Sequence, residues 1–345
     1  MQAPNDAVLQ VVELGRVWPT IDPFLFCVHH DDDYPEGDDE LGPCVPLVGR
    51  DIGQDFSGRD GWSMYHGSQL PGFPQHPHRG FETISFMRGG FMDHSDSLGA
   101  AARFGKGDVQ WMTAGNGIVH AEMFPLLQSA DRNPMELFQI WINLPARDKL
   151  VDPHFSMLWE HEIPKHTFLD HAGKPVTVTV VAGQLVAGAP APAPPPKSWA
   201  SDSSHDVGIW HIELTEGASW TLPPANHPDT MRVAYVFGDG AVRIGGTEVT
   251  SGHAAVLRTD VPVAMVDDAD GVQVLVLQGR PIGEPVVQSG PFVMNTSREI
   301  QKAYSDYQET HFGGWPWPDS DPNHGVDLRR FARHADGKLE ELTAS

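Results

Sequence analysis

Short alternating or apolar runs, each closed off by glycine or proline, recur from residue 11 to residue 277 and restrict this chain to a fold built from strands. In the first half they fall at 11–17, 24–28, 81–87, 109–112 and 137–142. In the second half they fall at 176–181, 207–214, 231–236, 241–244, 254–257 and 272–277. Each is too short for an amphipathic helix, and 35 glycines with 30 prolines suit tight turns between strands. The fold class read from this is all-β. One helix is expected at 297–308, where Ser297 caps the start and Ile300, Ala303, Tyr304 and Tyr307 recur at helical spacing. The Trp315-Pro316-Trp317-Pro318 run after it reads as a packed aromatic clamp.

A chain of 345 residues exceeds the usual single domain and accommodates two. Its two strand-rich halves have the same rhythm without exact repetition. Residues 189–196 are almost entirely alanine and proline and read as an extended surface loop inside the second half.

Charge excludes some classes of partner. The net charge of -23 and the lack of a Lys/Arg-rich tract oppose direct nucleic-acid binding and attachment to an anionic membrane. The acidic run Asp31-Asp32-Asp33, with Glu36, Asp38, Asp39 and Glu40 after it, lacks the spacing of an EF-hand and reads as a solvated surface loop. No apolar run approaches the roughly 20 residues that cross a bilayer, and the first residues lack a basic, signal-like segment. A cytoplasmic protein is expected, with Cys27 and Cys44 as two reduced thiols.

The chemistry concentrates between Phe73 and Glu122. His76 with His78, and His120 with Glu122, are i,i+2 pairs, and on a strand such pairs share one face. Three imidazoles and one carboxylate suit a borderline transition metal better than Mg or Ca. The set is compatible with a closed tetrahedral zinc site and with an octahedral iron that keeps two open positions. Pro77 marks a strand start or edge, and Gly115 and Gly117 allow a tight turn just before His120. In the second half His211 and Glu213 form another i,i+2 pair, but no His-x-His pair accompanies them and no carboxylate follows His253 at i+2; hydrogen bonding is the reading there.

The runs Phe73-Pro74-Gln75-His76-Pro77-His78-Arg79-Gly80-Phe81-Glu82-Thr83, Gly115-Asn116-Gly117-Ile118-Val119-His120-Ala121-Glu122 and Gly290-Pro291-Phe292-Val293-Met294-Asn295-Thr296 resemble those of the pirin family, a bicupin group of the cupin superfamily. The resemblance extends from about residue 10 to about residue 318. It implies two antiparallel, jelly-roll-like β-barrel domains face to face, with a short C-terminal helix. Residues 1–150 would form an N-terminal metal-binding cupin. Residues 151–318 would form a C-terminal cupin without a metal site, including the 189–196 loop and the 297–308 helix, and 319–345 a polar extension.

By the same resemblance His76, His78, His120 and Glu122 are the metal ligands, and the metal is iron (Fe2+/Fe3+), one per chain, with Zn, Ni, Cu or Mn as substitutes that depend on loading. The family implies two functions. One is quercetin 2,3-dioxygenase-like oxidative cleavage of a flavonol with O2, in which Glu122 ligates the metal or takes the substrate hydroxyl proton. The other is an iron-dependent redox sensor that binds a transcription-related protein partner. The enzyme is the favoured reading, acting as a monomer on a flavonol-like small molecule.

Overall fold

The computed structural model describes residues 7–268 and 271–342. The chain forms two compact units, and neither is one continuous stretch: Met1–Cys27 belongs with His161–Gly283, and Val28–Glu160 with Glu284–Ser345.

In the first unit a seven-stranded antiparallel sheet runs in the order Val8–Glu13, His253–Leu257, Met231–Phe237, Val272–Gly279, Gly208–Leu214, Pro175–Ala182, Lys165–Leu169. A four-stranded sheet runs Ser219–Leu222, Val263–Asp267, Ala241–Ile244, Thr247–Thr250. Alternation supplies the core between them. Val176, Val178 and Val180 of one strand bury with Ile212, Val274 and Val276 of the large sheet and with Val242, Ile244 and Met265 of the small one.

The second unit repeats the plan and carries the histidines. Its five-stranded sheet runs His154–Leu158, Val109–Thr113, Phe81–Gly89, Asn133–Asn143, Phe24–Tyr34. Its six-stranded sheet runs Leu339–Leu342, Arg330–Arg333, Ala101–Gly105, Phe91–Asp96, Ile118–Met123, Gly72–His78. Met87, Met112 and Leu137 from one sheet meet Met92, Phe104 and Ile118 from the other in a buried core.

The expectation of closed barrels is corrected here. Among the described residues every sheet is open and ends in two edge strands, so each unit is a sandwich of two main sheets. Sequence explains one of those edges. Gly72–His78 contains Pro74 and Pro77, which have no N–H to donate, so this strand cannot complete a second ladder and close the sheet.

Three local readings also change. Asp31–Asp33 lie inside the strand Phe24–Tyr34 and not in a loop; Asp31 and Asp33 are solvent-exposed, as are Asp38–Glu40 beyond the strand, but Asp32 is only 3% exposed, its carboxylate accepting from the Ser63 N–H and the Tyr65 hydroxyl. The helix spans Ser297–Thr310, and its N-cap is Thr296, whose side chain accepts from the Glu299 N–H; Ser297 is the first helical residue. Residues 330–342 are not a mere polar tail, since Arg330–Arg333 pairs with Ala101–Gly105 and adds a hairpin to the histidine-bearing sheet. Within 189–196, Ala189–Pro190 pairs briefly with Gln184–Val186. Among the described residues no helix is long and apolar enough to cross a membrane.

The link between the histidine strand and the next one is tight. Gly80 adopts φ +86°, and a Cβ there would sit 2.0 Å from the Val293 carbonyl oxygen. The buried Lys149 ammonium binds the Gly80 and Val293 carbonyls together with the Asn143 side-chain oxygen, fixing this corner. Gly80→Ala is therefore expected to lower stability by about 1–3 kcal/mol more than Gly99→Ala. Gly99 has a similar φ of +79° but open space around it, so the difference in urea unfolding isolates the clash from the left-handed backbone.

Candidate metal centre

The site depends on one strand pairing. Gly72–His78 runs antiparallel to Ile118–Met123 with His76 opposite His120 and His78 opposite Ile118. Both strands send alternate side chains inward, so the pairing brings the three imidazoles together. One ring nitrogen from each of His76, His78 and His120 lies within 4.8 Å of the others. The ring centroids are 4.4 Å apart for His76 and His120 and 4.9 Å apart for His78 and His120. Gly115 and Gly117, at φ +50° and +130°, make the turn that delivers His120 to its strand.

Hydrogen bonding tests whether these residues fit a metal ion. His76 Nδ1 lies 2.8 Å from the Pro74 carbonyl oxygen, which can only accept; the proton is therefore on Nδ1, and Nε2 keeps its lone pair. His120 is fully buried, and neither of its ring nitrogens has a hydrogen-bond partner; Nδ1 of buried His78 has none either. Buried polar atoms left unpaired are costly, and a cation among them removes the cost. Burial holds His78 and His120 well below the usual imidazole range, reinforced by the neighbouring histidines. Burial also lowers His76, against the opposing charge of Glu122. Neutral imidazoles are the form that ligates metals, so donor type, protonation and unpaired atoms agree on a histidine-based metal-binding site.

Glu122 lies on the same face as His120 but outside the group of three. Its Oε1 accepts from Ser85 Oγ at 2.8 Å and from Gln139 Nε2 at 3.1 Å, and its Oε2 accepts from Gln139 Nε2 at 3.0 Å. Ser85 and Gln139 are register partners in the five-stranded sheet, so the facing sheet orients the carboxylate. Sequence reading missed both, because a single serine or glutamine in an apolar strand carries no spacing signal. It also missed His94, which is buried, stands opposite Glu122, and has its ring centroid 5.5 Å from that of His120. His94 Nε2 contacts Asp96 Oδ2 at 3.2 Å, while His94 Nδ1 has no partner. His94 and Asp96 are themselves an i,i+2 pair, so the rule that found the other histidines reaches them too.

In the other unit His211 Nε2 lies 3.0 Å from Gln273 Oε1, and His253 Nδ1 lies 3.0 Å from Thr250 Oγ1. Both histidines are engaged in hydrogen bonds, as the sequence reading expects.

Aromatic rings border the triad. The Phe81 and Trp141 centroids lie 5.1 and 5.3 Å from that of His78, and Phe73 lies 6.4 Å from His76. Phe73 stacks on Tyr65, with centroids 5.2 Å apart. The Tyr65 hydroxyl donates to Asp32 Oδ2 at 2.6 Å and lies 2.8 Å from His30 Nδ1.

Comparison with known proteins places these residues in a wider group. The family model described as Pirin matches residues 10–142, and the Pirin C-terminal cupin domain matches 209–313. A Pirin-like protein of Caulobacter vibrioides is 37% identical over 245 residues, covering 70% of this chain and 81% of the relative. Pirin of Homo sapiens is 34% identical over 257 residues, covering 72% of this chain and 80% of the relative. The crystal structure of a quercetin 2,3-dioxygenase from Acinetobacter baumannii superposes with a TM-score of 0.69 at 25% identity, covering 89% of this chain and 98% of that one.

Two measurements test this geometry. His78→Ala is expected to weaken metal binding by more than the roughly 10- to 100-fold that the loss of an outer-shell partner costs. His253→Ala is expected to retain wild-type metal content by elemental analysis; equal loss in both variants would contradict the site. The second concerns Asp32, whose carboxyl is raised from 3.8 to about 6, mainly by burial. The folded state then holds the proton more tightly than the unfolded chain, so Asp32's contribution to stability is complete below pH 3.8 and lost as pH rises through about 6. Asp32→Asn is expected to flatten that part of the decline between pH 4 and 6.5 in urea titrations.

Proposed function

The chain belongs to the pirin family, and from that membership we propose that its metal centre is the active site of a dioxygenase that opens the ring of a flavonol with O2, as in quercetin 2,3-dioxygenases. The observation that carries this reading is the cluster of three histidines, two of them, His78 and His120, buried with unpaired ring nitrogens, in a chain that superposes on a protein named quercetin 2,3-dioxygenase. We assign His76, His78, His120 and Glu122 as the ligands and iron as the metal, because a mixed imidazole and carboxylate set supports redox chemistry. A cytoplasmic setting belongs to the same reading, supported by the unbridged thiols of Cys27 and Cys44.

When bound, the metal supplies Lewis acidity and one-electron exchange. The residues of the chain supply the rest. Glu122 has four lone-pair positions, of which Ser85 and Gln139 occupy three, leaving one on Oε2. That position suits ligation or acceptance of the proton from the flavonol 3-hydroxyl. Gln139 and Ser85 hold the carboxylate in one plane while it does so. Phe81 and Trp141 back His78 and exclude water from that side. In the family reaction the flavonol and O2 give a ring-opened ester and carbon monoxide.

The test is anaerobic reconstitution with iron, then parallel measurement of quercetin loss, O2 uptake and carbon monoxide release. Wild type is expected to turn over, and Glu122→Ala to lose about 100-fold or more per bound iron. Metal quantification in both separates lost ligation from lost proton transfer. Folded, iron-loaded wild type that makes no product above free iron would reject the enzyme and favour redox-dependent binding of a protein partner.

A further inference from the structure

Tyr65 is an aromatic residue at φ +58°, a left-handed conformation that costs an L-residue on the order of 1–2 kcal/mol. Such a residue persists only where its surroundings over-determine it, and such sites concentrate around ligands. Here the surroundings do so. The Tyr65 N–H donates to the Asp55 carbonyl at 2.8 Å, and the Tyr65 carbonyl accepts from the Asp55 N–H at 2.9 Å. Its hydroxyl donates to Asp32 and, having a single proton, accepts from His30 Nδ1–H. Asp32 is held in turn by the Ser63 N–H at 2.9 Å.

What this anchoring fixes is Phe73. The two rings are stacked at an interplanar angle of 26°, and the His30 ring approaches Phe73 at 6.0 Å from another side. Phe73 precedes His76 by three positions, which on a regular strand would turn the two side chains to opposite faces. A register shift between them changes that. Phe73 pairs with Glu122 while His76 pairs with His120, and because Glu122 and His120 share a face, so do Phe73 and His76. The bulge thus places a half-buried ring beside the clustered histidines, where the hydrogen-bonded Tyr65 ring stacks on it and Phe56, His66 and Phe124 meet it at other angles.

We propose that Phe73 is the stacking face for the flat ring of the substrate, and that Tyr65, locked by His30 and Asp32, is the positioning residue that sets its orientation. This rests on the flavonol reading above and assigns recognition within it.

The experiment uses full-length protein loaded with zinc, which blocks turnover, and titrates it with quercetin under argon by absorbance. Phe73→Leu keeps an apolar side chain but removes the ring, and is expected to weaken quercetin binding about 3- to 10-fold. Phe73→Trp is expected to restore it to within about 2-fold of wild type. Tyr65→Phe keeps its ring but loses both hydroxyl bonds, and is expected to weaken binding about 3-fold or more with zinc content unchanged. Wild-type affinity in Phe73→Leu, or equal weakening by Leu and Trp, would overturn the stacking face even if Tyr65→Phe folds poorly. Wild type that binds no quercetin would overturn the flavonol reading and the subsite together.

Discussion

The register between Gly72–His78 and Ile118–Met123 is the constraint from which the rest of the metal centre follows. Sliding that pairing by one residue would turn His120 and Glu122 away from His76 and His78, because side chains alternate with a period of two. Several features pin it. Pro74 and Pro77 confine the first strand to an edge, Gly117 leaves room for the Phe312 ring that presses on the turn before the second, and the Phe91–Asp96 strand pairs with the far side of that second strand. Desolvation acts on what the register assembles. Imidazoles buried without partners resist protonation and retain their lone pairs, so the surroundings prepare the donors before any ion arrives.

The two sheets of this unit divide the work. The six-stranded sheet carries His76, His78, His94, His120 and Glu122, all on strands that pair with one another. The five-stranded sheet faces them with Ser85 and Gln139, neutral groups that orient the carboxylate without adding a competing charge. Donors on one sheet and orienting groups on the other allow the geometry of the carboxylate to be tuned without disturbing the histidines.

Much of this was legible in the sequence. Most of the alternating runs mark real strands, although 11–17 is strand only as far as Glu13, and the i,i+2 rule finds the histidines because sheet geometry enforces it locally. Hydropathy alone misjudged Asp32, since a carboxylate takes an inward strand position only when donors such as the Tyr65 hydroxyl and the Ser63 N–H reach it from about 30 residues away in sequence. Barrel closure was legible only in part: Pro74 and Pro77 mark Gly72–His78 as an edge, but whether the other edge strands find partners is not encoded in any single strand's pattern. Nor does a sequence announce that Tyr65 is left-handed, because that conformation is imposed by tertiary bonds and not by propensity.

The interrupted threading of both units has a consequence for synthesis. Val8–Glu13 is made long before its partner strand His253–Leu257, and Ala101–Gly105 waits for Arg330–Arg333. Neither large sheet can be completed until its later strand has left the ribosome, so neither unit folds as a single early stretch of chain while the rest is still being made. The early strands must spend that interval with unpaired edges, and their protection falls to whatever holds nascent chains apart.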